Sequence, residues 1–424
     1  MGEEEQNPNS IYIPHELLEQ MVIRLPLKSI QKWRTVSKEW RSILESRRFG
    51  DKHMSLRKSR KLLAAYNCDC GGRLRRLPDS ESRFKGDEEI VYIHCDAPRL
   101  SLTCDGLVCF LEHDWVIVLN PSTRQLRRFP SGLTPHHTFR YVFGRWPLFP
   151  RGYWAMGFGR DRVTGRYKVV RMCFTFRKIN QKYPDVECGV ADVVTGEWKK
   201  LLSSPSNVVK VEKKSATVNG LVYWLGLKKG QMEMDYKIIA LDLHKEEFID
   251  VSVPAQWVSR ETQIVNLEDH LAIANTIAKP YWVLEICIMG REDKRWRKVY
   301  TITLHRFTPS VYFTPVAVSK RGNLVFYDNE KRLFKYYPRP DEFRCLSLDT
   351  CVISRYVENL VPFPLKPSHT YPNQVNSDSK KRTSICRLFS RSCWITKVLQ
   401  WNGYRILDIL FTSLVIVGYV WCPL

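Results

Sequence analysis

From Cys104 to Pro338 the chain repeats one pattern: an apolar strand, a tight polar turn, another apolar strand, then a turn bearing Gly or charges. The first unit reads CDGLVCF then VIVLNPSTRQLRRFP, the second MGFGRDRVTGRYKVVRMCF then CGVADVVTGEWKKL, and the third ATVNGLVYWL then KIIALDLHKEEFIDV. The fourth reads HLAIAN then YWVLEICIMGREDKRWRKVYTI, and the fifth VAVSKRGNLVFYDNEKRLFKYYP. Turns near Thr195, His244, Lys294 and Asp341 lie 49, 50 and 47 residues apart. A period of about 50 built of short strands is the spacing of β-propeller blades of kelch type. The 13 Trp, 19 Tyr and 19 Phe suit strands better than helical bundles. Runs such as Leu221-Val222-Tyr223-Trp224-Leu225 fit strands buried inside a sheet. The repeat predicts a propeller of about six blades. Trp198 and Trp296, each just past a turn, are expected to wedge between blades rather than hold a ligand.

Ahead of the repeats the period changes to that of helices. In IPHELLEQMVIRLPLKSIQKWRTVSKEWRSIL, Pro14 sits where a first helical turn tolerates a missing N–H. Leu17, Leu18, Met21, Val22 and Leu25 then recur on one face. Pro26 ends that helix and opens a second, with Leu27, Ile30 and Trp33 on one side and Val36 at its close. Ser37 is placed to cap a third helix whose inner face is Trp40, Ile43 and Leu44. A three-helix unit this small buries little surface, so part of its apolar face awaits a partner.

This helical stretch resembles an F-box in the order and spacing of its Ile-Pro opening, Leu17-Leu18 pair, RLPLKSI turn and VSKEW segment. It departs from the family at Ser37, where Cys is frequent, and at His15, where an acidic residue is frequent. The strand units resemble the F-box-associated domain of a large plant F-box family, in NPSTRQLRRFP, GFGRDRVTGRYKVV, TGEWKKL, VNGLVYWL, LDLHKEEF, RWRKVYTI and YVENLVPF. The resemblance implies a multidomain α+β chain: a small N-terminal three-helix F-box followed by an all-β propeller-like domain. It further implies docking onto the Skp-type adaptor of an SCF (cullin–RING) E3 ubiquitin ligase, with the β domain binding a protein substrate. The adaptor-facing positions would be Ile13, Pro14, Leu17, Leu18, Leu25, Pro26, Leu27, Ile30, Val36 and Trp40. Substrate-binding residues are not legible, because function carried on loops does not show in a strand pattern.

From Arg24 to Lys61 there are 13 Lys or Arg against Glu39, Glu45 and Asp51, a large share of the +22 net charge. Such a face binds nucleic acid through phosphates or meets an acidic protein surface. The resemblance favours the protein. The alternative on the residues alone is a basic propeller scaffold binding nucleic acid or protein with no ligase role. Catalytic signatures are missing: HELLE carries Glu19 where a zinc-protease helix has its second His. GFGR at Gly157 precedes a strand, not a helix, and no phosphate loop or nucleophile elbow follows. We therefore expect no enzyme, no cofactor and no metal. The thirteen Cys are scattered, Cys68 and Cys70 are spaced C-x-C beside a Gly71-Gly72 turn, and His136 and His137 sit in a Pro-bounded loop. MGEEEQNPNS is no cleavable signal, so the thiols read as reduced and the location as nucleus or cytoplasm.

The expected divisions are a disordered 1–10, an F-box over 11–58, the propeller-like domain over 59–365, a basic polar linker over 366–405 and an apolar tail over 406–424. Ile406 to Leu424 holds a single charge, Asp408, and is preceded by Lys380, Lys381, Arg382, Arg387, Arg391, Lys397 and Arg405. That flank suits a C-terminal membrane anchor facing the cytosol; a packed or unstructured extension is the other reading.

Overall fold

The computed structural model describes residues 14–56, 61–67, 90–95, 101–111, 115–132, 154–175, 185–205, 208–209, 214–228, 235–279, 281–304, 312–319, 321–329, 332–347 and 350–361. The expected segments 1–10, 366–405 and 406–424, together with Ile13, Cys68, Cys70, His136 and His137, lie outside them. No helix among the described residues is long and apolar enough to cross a membrane.

Four helices come first: α1 (His15–Val22), α2 (Leu27–Trp33), α3 (Lys38–Leu44) and α4 (Arg47–Leu56). Pro14 and Pro26 stand at the N-caps of α1 and α2, and the Ser37 hydroxyl accepts from the Trp40 amide at 3.1 Å to cap α3. The fourth helix is an addition to the expected three. Its sequence, RRFGDKHMSL, reads as a charge run, yet Phe49 and His53, one turn apart, are buried.

Among the described residues, the regular elements that follow are strands, apart from a 3-10 turn at Ala255–Trp257. Blade 1 is Ser101–Cys104, Leu107–Leu111, Trp115–Asn120 and Gln125–Pro130; blade 2 is Trp154–Arg160, Tyr167–Thr175, Asp185–Asp192 and Trp198–Lys200. Blade 3 has five strands, Val208–Val209, Ala216–Val218, Leu221–Leu227, Tyr236–Asp242 and Glu247–Val251. Blade 4 is Gln263–Leu267, His270–Lys279, Tyr281–Met289 and Trp296–Leu304; blade 5 is Phe313–Val318, Leu324–Asp328, Leu333–Tyr337 and Glu342–Ser347. The propeller thus has five antiparallel blades where about six were expected. The remaining sheet is smaller and mixed: Lys61–Asn67 pairs antiparallel with Thr350–Tyr356 and parallel with Ile90–Cys95. Joining both ends of the domain in one sheet closes the ring and removes its open edges.

Each core is shared between two neighbouring sheets. Phe158 and Val169 of blade 2 pack with Leu107 and Phe129 of blade 1, and Met172 with Trp224 and Ile239 of blade 3. Blades 3 and 4 meet at Tyr223, Ile238, Leu271 and Cys287, and blades 4 and 5 at Leu284, Ile302, Phe313, Phe326 and Phe334. The closing sheet supplies Leu62 to blade 5 and Leu63 to blade 1. This explains why the run from Val222 to Leu225 is buried without interruption: Val222 and Trp224 face blade 2 while Tyr223 and Leu225 face blade 4. The Gly157 of GFGR belongs to the same packing, since a Cβ there would stand 2.6 Å from the Trp224 ring. Both expected wedges are observed: the Trp198 indole donates to the Pro130 carbonyl of blade 1 at 2.8 Å and Trp296 to the Ser252 carbonyl of blade 3 at 2.9 Å.

The outer turns repeat one chemistry. Asn120, Asp161, Asp192 and Asp242 each accept, through their side-chain oxygen, the amides two and three residues on. This Asx turn stands in for a backbone turn and sets where the next strand begins.

Candidate functional site: the exposed helical surface and its seat on the propeller

The helical module has a dry side and a bare side. Val22, Ile23, Ile30, Leu44 and Phe49 are fully buried together with Leu360, which arrives from the far end of the propeller. Leu18, Leu25, Leu27, Trp40 and Ile43 pack around that core half-buried. On the bare side stand Pro14, Leu17, Met21, Pro26 and Val36, with Leu17, Met21 and Val36 at 53, 62 and 64 % exposure. Trp33, expected on the same side of α2 as Leu27 and Ile30, is also exposed and its ring lies 4.5 Å from that of Trp40. A surface of large apolar groups on so small a unit marks an interaction site.

Of the ten residues read from the sequence as adaptor-facing, Pro14, Leu17, Pro26 and Val36 are exposed. Leu18, Leu25, Leu27 and Trp40 are half-buried and divide their atoms between core and surface. Ile30 is the correction: at 0 % exposure it lies inside the module, so it supports the surface from beneath rather than forming it. Met21 and Trp33 join the exposed group; both belong to the apolar pattern of the sequence but are not among the ten.

The dry side is fastened to blades 1 and 2. The Gln31 amide donates to the Ser122 carbonyl at 2.5 Å, and Arg160 pairs with Asp51 of α4 at 2.5 Å. Arg160 is nearly buried, lies 5.5 Å from the Tyr167 ring centre and stands 3.8 Å from Asp105. Burial works against its charge, but Tyr167, Asp51 and Asp105 outweigh that and raise its pKa. Burial likewise pushes the Asp105 carboxyl up, with Arg162 and Arg160 opposing.

Between module and ring runs the segment from Tyr356 to Val361. Asn359, fully buried, donates to the Asp105 carbonyl and accepts at its own carbonyl from the Asn120 amide, at 2.8 and 3.0 Å. Its backbone amide donates to the Ser122 hydroxyl at 2.9 Å, and that hydroxyl also contacts the Tyr356 hydroxyl at 2.7 Å. Gly106, at φ 78°, leaves room for the segment, because a Cβ there would fall 1.8 Å from the Val357 carbonyl oxygen. Leu360 is the functional residue that sequence reasoning missed. It lies within the quoted phrase YVENLVPF, but nothing local distinguishes it from a strand residue. Among the described residues no three His, Cys, Asp or Glu side chains gather as a metal site.

A bare apolar helical surface fixed to a closed ring of blades defines an F-box protein of the propeller class. The chain belongs to the family with an F-box associated beta propeller domain, whose pattern matches residues 88–360. The F-box/LRR-repeat protein At2g43260 of Arabidopsis thaliana is 60 % identical over 431 residues, covering 100 % of both chains. The F-box/kelch-repeat protein At2g43445 of the same plant is 52 % identical over 440 residues, again covering 100 % of both. The repeat words in those two names differ; the sheet topology of this chain is that of a propeller.

Proposed function

We propose that this chain is the substrate-recognition subunit of an SCF-type E3 ubiquitin ligase, with its helices docking a Skp-type adaptor and its propeller holding a protein substrate. One observation carries the reading: Pro14, Leu17, Met21, Pro26, Trp33 and Val36 are exposed on a small module whose core is completed by Leu360 of the propeller. The catalytic step would belong to the conjugating enzyme recruited through the cullin and RING subunits. This chain would contribute proximity, raising the effective concentration of a substrate near activated ubiquitin. The basic helices would speed encounter with an acidic adaptor surface. The test is direct binding of a purified Skp-type adaptor to the full chain. Leu17→Asp with Val36→Asp should weaken that binding at least 100-fold while thermal unfolding stays unchanged, because exposed apolar anchors carry about 2 kcal/mol or more each. Undiminished affinity in the double variant would refute the reading.

A further inference from the structure

Within a blade, the turn joining the first and second strands and the turn joining the third and fourth emerge on one face of the ring. The helical module sits on that face, at the turns of blades 1 and 2 through Ser122 and Arg160. Across the ring on the same face, blades 4 and 5 diverge to leave a cleft of about 1020 Å³. One wall is Ile288, Val299 and Tyr300 of blade 4; the other is the turn of Arg321 and Gly322, with Arg339 at the rim. The Tyr300 hydroxyl donates to the Gly322 carbonyl at 3.1 Å and ties the two walls together.

The charge of this cleft is one-sided. Its single carboxylate, Glu268, is already engaged on both oxygens, by Arg355 at 2.6 Å and by the Val318 amide at 3.3 Å. Arg321 and Arg339 are exposed, and among the described residues neither has an ion-pair partner. Some exposed cations elsewhere on the propeller are met, as Lys199 is by Glu246 at 2.7 Å and Lys298 by Glu285 at 2.7 Å; others, such as Lys245, are not among the described residues, and what sets Arg321 and Arg339 apart is that they border one cleft. Beside the two unmatched guanidinium groups Val299 is 40 % exposed, on an outer strand where solvent-facing positions are otherwise polar. We propose that the cleft between blades 4 and 5 binds an acidic peptide segment of a partner protein, its carboxylates on Arg321 and Arg339 and its apolar side chains on Ile288 and Val299. A polynucleotide fits less well: the two tyrosines that line the cleft are half-buried, Tyr300 with its hydroxyl engaged and Tyr337 with Lys335 and Arg344 over its ring, so neither offers an open face to a base. That the partner is a ligase substrate rests on the function proposed above; the binding does not.

The experiment uses the full chain without adaptor and fluorescence anisotropy of a labelled twelve-residue peptide carrying four Glu around two central Leu in a Gly-Ser background. Comparison probes replace every Glu by Gln, replace every Glu by phosphoserine, or are a single-stranded oligonucleotide of matched charge. The Glu peptide should bind at least tenfold tighter than the Gln peptide. Arg321→Glu with Arg339→Glu should remove that difference, as should Val299→Glu, whereas an equal charge reversal on blade 3, Lys237→Glu with Lys245→Glu, should leave it. Unfolding temperatures of all variants confirm that they are folded. Equal binding of the Glu and Gln peptides, or loss of binding in the blade 3 variant as well, overturns the proposal. So does binding confined to the phosphoserine peptide or to the oligonucleotide. Adaptor binding is measured on the same variants: peptide binding at the cleft without adaptor binding sinks the ligase reading and leaves the cleft intact.

Discussion

Leu360 shows how one side chain can belong to two domains. Its backbone continues the strand that closes the ring, and its side chain completes the core formed by Val22, Ile30, Leu44 and Phe49. Truncating a fully buried Leu costs about 2–5 kcal/mol, depending on how far the site collapses. Leu360→Ala should therefore lower stability by about that amount in urea unfolding. It should also weaken adaptor binding more than an exposed single substitution such as Met21→Ala, since the helices lose their seat. Unchanged stability would mean that Leu360 does not pack as described. Of the single residues, the caps and turns were the most legible: Ser37, Pro14 and Pro26 act locally, within three residues of their effect. Ile30 and Trp33 were not, because a helical period says which residues share a face and not which face is covered. In a four-helix unit seated on a second domain, two faces of α2 are open to burial.

Among the elements, the turns carry the repeat more faithfully than the strands do. Asp161 is the most buried of the turn carboxylates at 1 % exposure, and it lies 3.6 Å from the Lys168 ammonium. Burial alone would raise its pKa, but the Thr164 hydroxyl and amide, the Val163 amide and His244 together bring it down to about 2. A folded value below the unfolded one, about 3.9, stabilises the fold above that pH and is lost as pH falls towards 2. The stake is about 2–3 kcal/mol. Asp161→Asn should lower stability above pH 4 and flatten the decline between pH 4 and 2, as measured by denaturant unfolding across that range. Parallel curves for the two proteins would remove Asp161 from the account. The wedges were equally legible, since Trp198 and Trp296 each stand just past a turn. The helix α4 was hidden because its two buried side chains sit among charges, with too few apolar positions to show a period.

For the whole molecule, the repeat indicated a ring but overcounted the blades. The strands that close it, Lys61–Asn67 and Thr350–Tyr356, lie at opposite ends of the domain, and their pairing leaves no mark in either segment alone. The sharing of Leu360 also alters what a truncation should do. A chain beginning at Ser59 retains the blades and should give a β-type circular dichroism spectrum without adaptor binding. It exposes Leu360 and leaves Arg160 without Asp51, so it should unfold at lower urea than the full chain. A mostly helical spectrum would contradict the propeller, and an unshifted midpoint would contradict the shared core.

The late position of Leu360 has a consequence for how the protein is made. The F-box helices leave the ribosome before the blades, yet their core stays incomplete until Leu360, more than three hundred positions later, has emerged. The same segment follows directly on the strand that closes the ring, so the helical core and the ring wait on neighbouring stretches of chain. A nascent or prematurely terminated chain therefore lacks both the seated helical surface and the closed receptor.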